Sequence, residues 1–232
     1  MKKVLYKLFL GKPEYNRVPS RSAYYNYKVN VASIWNNEKH HDIGFEKVLR
    51  LVLVSAQIIF PGIHIRNLSG KYGIITRNVT IEFYVLFKTL LPLVFLFSGF
   101  YVHTVAVVIA SYLLLETIFY VASLIFVSDI FVKPRSYRRN ILMLFFNYLE
   151  ISLCFAVIYA SLHLLGDRTY EVMDYIYFSI VTSTTIGYGD MSPVTHAGQF
   201  TVCVQAVMVV AFIVLFLNFF GSKVELIHND EE

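Results

Sequence analysis

The segment Thr184-Thr185-Ile186-Gly187-Tyr188-Gly189-Asp190 sets two hydroxyls, two glycines and a carboxylate between apolar stretches of a 232-residue chain that is 56% hydrophobic. A strand whose carbonyls all turn to one side must alternate backbone handedness, and glycine enters positive φ without a side-chain clash. Gly187 and Gly189 stand at alternate positions of this kind. Thr185 adds a hydroxyl to the column of carbonyls, which makes a ladder of hard oxygen ligands suited to replacing the water shell of a cation. Ile186 and Tyr188 then face away from the column and brace it from behind.

A second group of chemistry-bearing residues, Lys88, Glu116 and Glu150, interrupts apolar stretches elsewhere. At the helical rise, all three lie roughly 12 to 18 Å from the inner ends of their segments. Charge at that depth is costly unless paired, so Lys88 is expected to pair with Glu116 or Glu150. The first role for such a pair is structural, tying helices together; a response to protons or voltage is the alternative. No helix carries Arg or Lys at every third position, as a voltage sensor of the usual kind requires.

Other chemistries find no support in the residues. The seven histidines have no metal-ligand spacing, and no nucleophile is placed beside a base, so an enzyme is not expected. Cys154 and Cys203 both fall inside apolar segments, where a small apolar packing role fits better than a disulfide. No nucleic-acid partner is implied.

These residues have to be positioned by elements that cross a bilayer. A spanning helix needs about 20 mainly apolar residues, because hydrocarbon satisfies no backbone polar group. Residues 80–100, 103–128, 140–164 and 199–220 meet that length, giving four crossings. Residues 1–78 hold 13 Lys or Arg against 4 Asp or Glu, and the remainder holds 7 against 12. With Lys133, Arg135, Arg138 and Arg139 crowding the loop after the second span, the positive-inside bias places that loop and both termini in the cytoplasm of a multi-pass cell-membrane protein. The expected organisation is a basic N-terminal region 1–78, two peripheral spans within 79–130, a segment 139–221, and a short tail 222–232. Within the first region, the apolar run Val48–Phe60 is short for a span, so an interfacial helix over 46–60 on the inner leaflet is favoured over a fifth crossing. The tyrosine-rich stretch with Tyr24, Tyr25 and Tyr27 matches no motif.

Between the third and fourth spans, Thr169 is a candidate N-cap, Glu171 falls in the first turn, and Val172, Ile176, Ile180 and Val181 recur at helical spacing up to Ser183. That predicts a half-bilayer helix. The return after it is irregular backbone, which the membrane tolerates only where protein shields it or it lines a water-filled path.

Thr184 to Asp190 resembles the selectivity filter of potassium channels, with the pattern T-x-G-Y-G intact. Asp174, Tyr177-Phe178, Pro193-Val194-Thr195 and Gly198 extend the likeness, so that residues 140–221 resemble an outer helix, pore helix, filter and inner helix. The resemblance implies an all-α membrane fold and a homotetramer, since one loop supplies a quarter of a ring of ligands. It implies K+ as the permeant ion, bound by the main-chain carbonyls of Thr185, Ile186, Gly187 and Tyr188 with the Thr185 hydroxyl. Thr184, Gly189, Asp190, Tyr177, Phe178 and Val181 would support the filter, and the helix end near Ser183 would point its negative dipole at an ion in the cavity below. Two positions depart from the pattern: Phe178 has no donor for the Tyr188 hydroxyl, and Val181 stands where some members carry an acid. The inner helix has no glycine, Val209 occupying the usual hinge position, so a gate of tilting helices with Asn218, Phe219 and Phe220 at the inner mouth is expected instead. The tail after Gly221 is too short for a ligand-binding domain, which leaves regulation to the N-terminal region, the peripheral spans, the lipid bilayer or a separate partner. A non-conducting regulatory subunit and a component of a K+ transporter are the alternative readings.

Overall fold

The computed structural model of the chain describes residues 22–37, 42–130, 137–166 and 170–229, the side chains of 137, 216 and 218–229 excepted. Lys133 and Arg135 of the basic loop, the Thr169 cap and the side chains of Asn218, Phe219 and Phe220 therefore lie outside the described residues. The described chain is all-helical: α1 (Ala23–Trp35), α2 (Gly44–Ala56), α3 (Pro61–Gly70), α4 (Ile74–Phe97), a 3-10 turn (Phe100–Val102), α5 (Thr104–Phe126), α6 (Tyr137–Ser161), α7 (Val172–Ser183) and α8 (His196–Asn229).

Four of these are long and apolar enough to cross a bilayer: Ile74–Phe97, Thr104–Phe126, Arg138–Ser161 and His196–Leu215. They correspond to the four stretches read from the sequence, with ends displaced by a few residues. Hydropathy marks where a chain enters an apolar environment, whereas helical hydrogen bonding carries on past that point. So α4 begins at Ile74, where the Arg77 amide already bonds the Gly73 carbonyl at 3.1 Å.

The chain divides into two compact units. The first comprises residues 1–85 and 122–132. Its apolar run does not form one helix up to Pro61: α2 stops at Ala56, and Pro61 opens α3 instead. Proline is favoured as the first helical residue because its missing amide would be unpaired there anyway. The two helices pass the length and hydropathy test of a span only together, and they bend by 58° at the break. This unit is pinned by a buried guanidinium. Arg50 donates to Asp42 Oδ1 through Nη1 at 3.3 Å and to Asp129 Oδ2 through Nη2 at 2.6 Å, which joins α2 to the turn that follows α5. Tyr24 of α1 lies 2.6 Å from His64 Nδ1 of α3, and Lys47 donates to the Trp35 carbonyl at 2.9 Å.

The second unit comprises residues 86–121 and 133–232. Its centre is α6, whose spanning window is 67% buried while those of the other three spans are 33–39% buried. Leu144, Ile151, Phe155 and Tyr159 supply its inward surface. In a bilayer the gain from this burial is close van der Waals packing, since lipid tails are as apolar as these side chains. Polar pins add orientation: Thr89 of α4 donates to the Phe146 carbonyl at 3.2 Å, and Ser161 donates to the Tyr101 carbonyl at 2.5 Å.

Candidate functional site

The half-membrane helix is α7, 12 residues from Val172 to Ser183, or about 18 Å at the helical rise. Glu171 is its N-cap. The Glu171 amide donates to Asp174 Oδ2 at 2.8 Å, so the carboxylate at the third helical position satisfies an amide that the helix start would strand.

The helix ends in a way that starts the irregular strand. The Thr185 amide bonds the Thr182 carbonyl at 3.1 Å and the Ile186 amide reaches back to the Val181 carbonyl at 3.1 Å. These are the two bonds of a Schellman cap, whose first residue past the cap takes left-handed backbone. Here that residue is Thr185, at φ +58°. Gly187 follows at +56° and Gly189 at +78°, so every second residue from the helix end is left-handed. A β-branched residue in this region costs on the order of 1–3 kcal/mol and is normally found only where its surroundings enforce it. The helix thus hands its own terminal geometry to the strand, and the two glycines continue it at lower cost.

Around the strand, Tyr177 donates to Asp190 Oδ2 at 2.8 Å, which raises the Tyr177 pKa above its ordinary value. The Tyr177 and Tyr188 rings lie parallel, at an interplanar angle of 2° and a centroid distance of 6.5 Å. The Thr184 hydroxyl turns back to the Ile180 carbonyl at 2.9 Å. Val181 meets the strand through its carbonyl, by the Ile186 bond above. Phe178 faces the opposite way: it is buried and packs edge-on against Tyr159 of α6 at 5.0 Å. Ile186 and Tyr188 are exposed in the single chain, at 54% and 68%. At the rim, Gly198 allows the first turn of α8 to approach the turn that follows α6 closely, since a Cβ there would sit 2.7 Å from the Leu164 carbonyl oxygen.

Below the strand lies a cavity of about 380 Å³ whose walls include Tyr148, Ser183, Thr184, Thr185, Val209 and Phe212. It is largely apolar except at the end of α7. There the Tyr148 hydroxyl donates to the Ser183 carbonyl at 2.6 Å, so one of the carbonyls at this helix end is engaged by α6.

The buried charges gather at one junction of α4, α5 and α6. Lys88 Nζ lies 3.0 Å from Glu150 Oε2 and donates to Thr117 Oγ1 at 2.8 Å, while Thr117 donates to Glu150 Oε1 at 2.9 Å. Glu116 is buried beside Thr117 but is not the carboxylate of this ion pair. For Asn218, Phe219 and Phe220 the structure gives position along α8 only: α8 passes through them as unbroken helix, with Val209 inside it.

A set of uncharged polar residues was not singled out by sequence reading. Ser152 and Tyr159 of α6, Ser179 and Ser183 of α7, and Gln205 of α8 are all buried and bonded to one another. Serines four apart on one helix and an amide in the middle of an apolar span are their only sequence signal.

The protein-family model described as "Ion channel" matches residues 147–225. Two pore potassium channel a of Oryza sativa subsp. japonica is 33% identical over 91 residues, 39% of this chain and 26% of that protein. Two-pore potassium channel 1 of Arabidopsis thaliana is 39% identical over 66 residues, 28% of this chain and 18% of that protein. The matched segments thus span about a quarter or less of these relatives. No solved structure matches the chain significantly. A half-membrane helix, a strand of alternating handedness and a returning apolar helix lie within the residues that match the ion-channel family model, and the chain is similar over part of its length to these potassium channels.

Proposed function

We propose that the chain is a subunit of a homotetrameric potassium-selective channel through which K+ moves passively down its gradient. The observation that carries this reading is the left-handed backbone at Thr185, Gly187 and Gly189, three alternate residues directly behind a half-membrane helix. Alternation of this kind turns successive carbonyls to one side. Four such strands around an axis would offer the oxygens of Thr185, Ile186, Gly187 and Tyr188, with the Thr185 hydroxyl, to a dehydrated K+. In this reading Thr184 and Gly189 end the ladder, and Tyr177 holds Asp190 at its outer rim. The sequence contains one such strand, so four chains complete the ring. Both termini lie in the cytoplasm, following the excess of Lys and Arg in residues 1–78 and before α6.

Reconstitution of the full chain in liposomes under an outward K+ gradient tests the proposal. The expected result is K+ efflux that exceeds Na+ efflux at least about a hundredfold, the discrimination that about 2.7 kcal/mol of differential binding provides. A native mass near four times 26.8 kDa is expected for the protein part of the assembly. Absence of flux would favour the non-conducting subunit, and equal K+ and Na+ flux would overturn selectivity.

A further inference from the structure

The buried amide of Gln205 has no role in the ion path described above, and the bonds of its NH2 group all run toward the helix that ends at the filter. Gln205 Nε2 donates to the Ser179 carbonyl at 2.9 Å and to Ser183 Oγ at 2.7 Å, with Ser179 Oγ also at 3.0 Å. On its other side, Gln205 Oε1 accepts from the Tyr159 hydroxyl at 2.7 Å. The orientation of the amide is fixed by chemistry: a backbone carbonyl only accepts, so the NH2 group must face Ser179 and the oxygen must face Tyr159. From the opposite face, Ser179 Oγ donates to the Ser152 carbonyl at 2.5 Å and Ser152 Oγ bonds Ser183 Oγ at 2.9 Å. The last turn of α7 is therefore held between α6 and α8 by side chains that are 0–2% exposed.

We propose that Gln205 is a positioning residue for the filter: it locks the inner helix α8 to the last turn of α7 at Ser179 and Ser183 and so sets where Thr184 and Thr185 begin the oxygen ladder. The inference rests on the potassium-channel reading. Three features carry it. Ser183 is the residue immediately before the filter, so a bond to it acts on the strand through one peptide unit. In an apolar span the network has no water to substitute for a lost partner, which makes each bond directional rather than exchangeable. Finally, among the described residues the side-chain hydrogen bonds from α8 to α7 all come from Gln205, so the axial register of α8 against α7 is set at this one side chain. Any displacement of α8 is thereby passed to the foot of the filter.

The test compares K+ and Na+ efflux from liposomes for the full-chain wild type, Gln205→Leu, Ser183→Ala and the double variant, with tetramer content measured in parallel. Gln205→Leu keeps the side-chain bulk and removes every bond of the amide. The K+ to Na+ flux ratio is expected to fall about tenfold in Gln205→Leu and about threefold in Ser183→Ala, the ratios that correspond to one net hydrogen bond and to part of one. The double variant is expected to equal Gln205→Leu alone, because the two changes break the same link. A structural role without filter positioning would reduce tetramer content and leave the ratio in the remaining tetramers unchanged. If Gln205→Leu does not assemble, Ser183→Ala decides alone, and an unchanged ratio in assembled Ser183→Ala overturns the inference in either case. A wild type without K+ preference overturns the channel reading instead, and is distinguished from the former result because it appears before any substitution is made.

Discussion

At the residue scale, the strand from Thr185 to Gly189 shows how one backbone requirement at three positions is met by two different side-chain choices. Gly187 and Gly189 take positive φ without side-chain conflict, whereas Thr185 does so as a β-branched residue at a helix C-terminus that ordinarily ends in glycine. Opposite substitutions should therefore have opposite signs. Thr185→Gly relieves left-handed strain and is expected to stabilise the pore domain by about 1 kcal/mol after the entropic cost of glycine, and Gly187→Ala to destabilise it by about 1–2 kcal/mol. Denaturant titration of purified protein in K+-free buffer reads both, since ion binding then adds nothing to folded-state stability. Thr185→Gly destabilising the protein would mean that its hydroxyl or methyl group makes folded-state contacts worth more than the strain. The seven-residue pattern and the glycine positions were legible in the sequence. The left-handed state of Thr185 was not, because threonine gives no signal for it and only the Schellman bonds to Val181 and Thr182 impose it.

At the element scale, α6 is the helix on which the second unit is organised, and the charges show why. Its Glu150 is fully buried against Lys88 of α4 and Thr117 of α5. Removing one member of such a pair strands the other, at a cost of about 3–5 kcal/mol, while replacing both by apolar groups is near neutral. Lys88→Met and Glu150→Leu are each expected to lower stability by that amount, and the double variant to recover most of it, as read by thermal unfolding in detergent micelles. Two single variants as stable as the wild type would show that the pair contributes nothing to holding α4 to α6. The sequence placed Lys88 and two glutamates at similar depth, but depth is a single coordinate. That Lys88 reaches Glu150 is a matter of rotation, made by which helical face each presents once α4 and α6 pack. The same holds for Tyr177 and Phe178: adjacent residues on α7 point about 100° apart, so one lies beside the filter and the other beside Tyr159.

At the scale of the whole molecule, the proposed sidedness rests on charge. If the positive-inside reading is correct, Arg138→Cys at the start of α6 reacts with a membrane-impermeant maleimide only from the cytoplasmic side, and Ser192→Cys after the filter only from the outside, in a background with Cys154 and Cys203 replaced. Labelling of both from one side would exclude α6 as a span with α7 entering from the opposite face. The four long apolar stretches, their order and the polar heptapeptide between the last two were legible in the sequence alone, because in hydrocarbon each backbone polar group must be satisfied within its own segment and that rule acts residue by residue along the chain. The break of the 44–70 region into two helices at Pro61, the choice of Glu150 as partner for Lys88, and the ring of bonds from Tyr159 through Gln205 to Ser183 were decided by tertiary structure. Local composition fixes which groups need partners, but a partner 22 to 62 residues away along the chain is selected only when packing sets the rotation and register of the helices that carry the two groups.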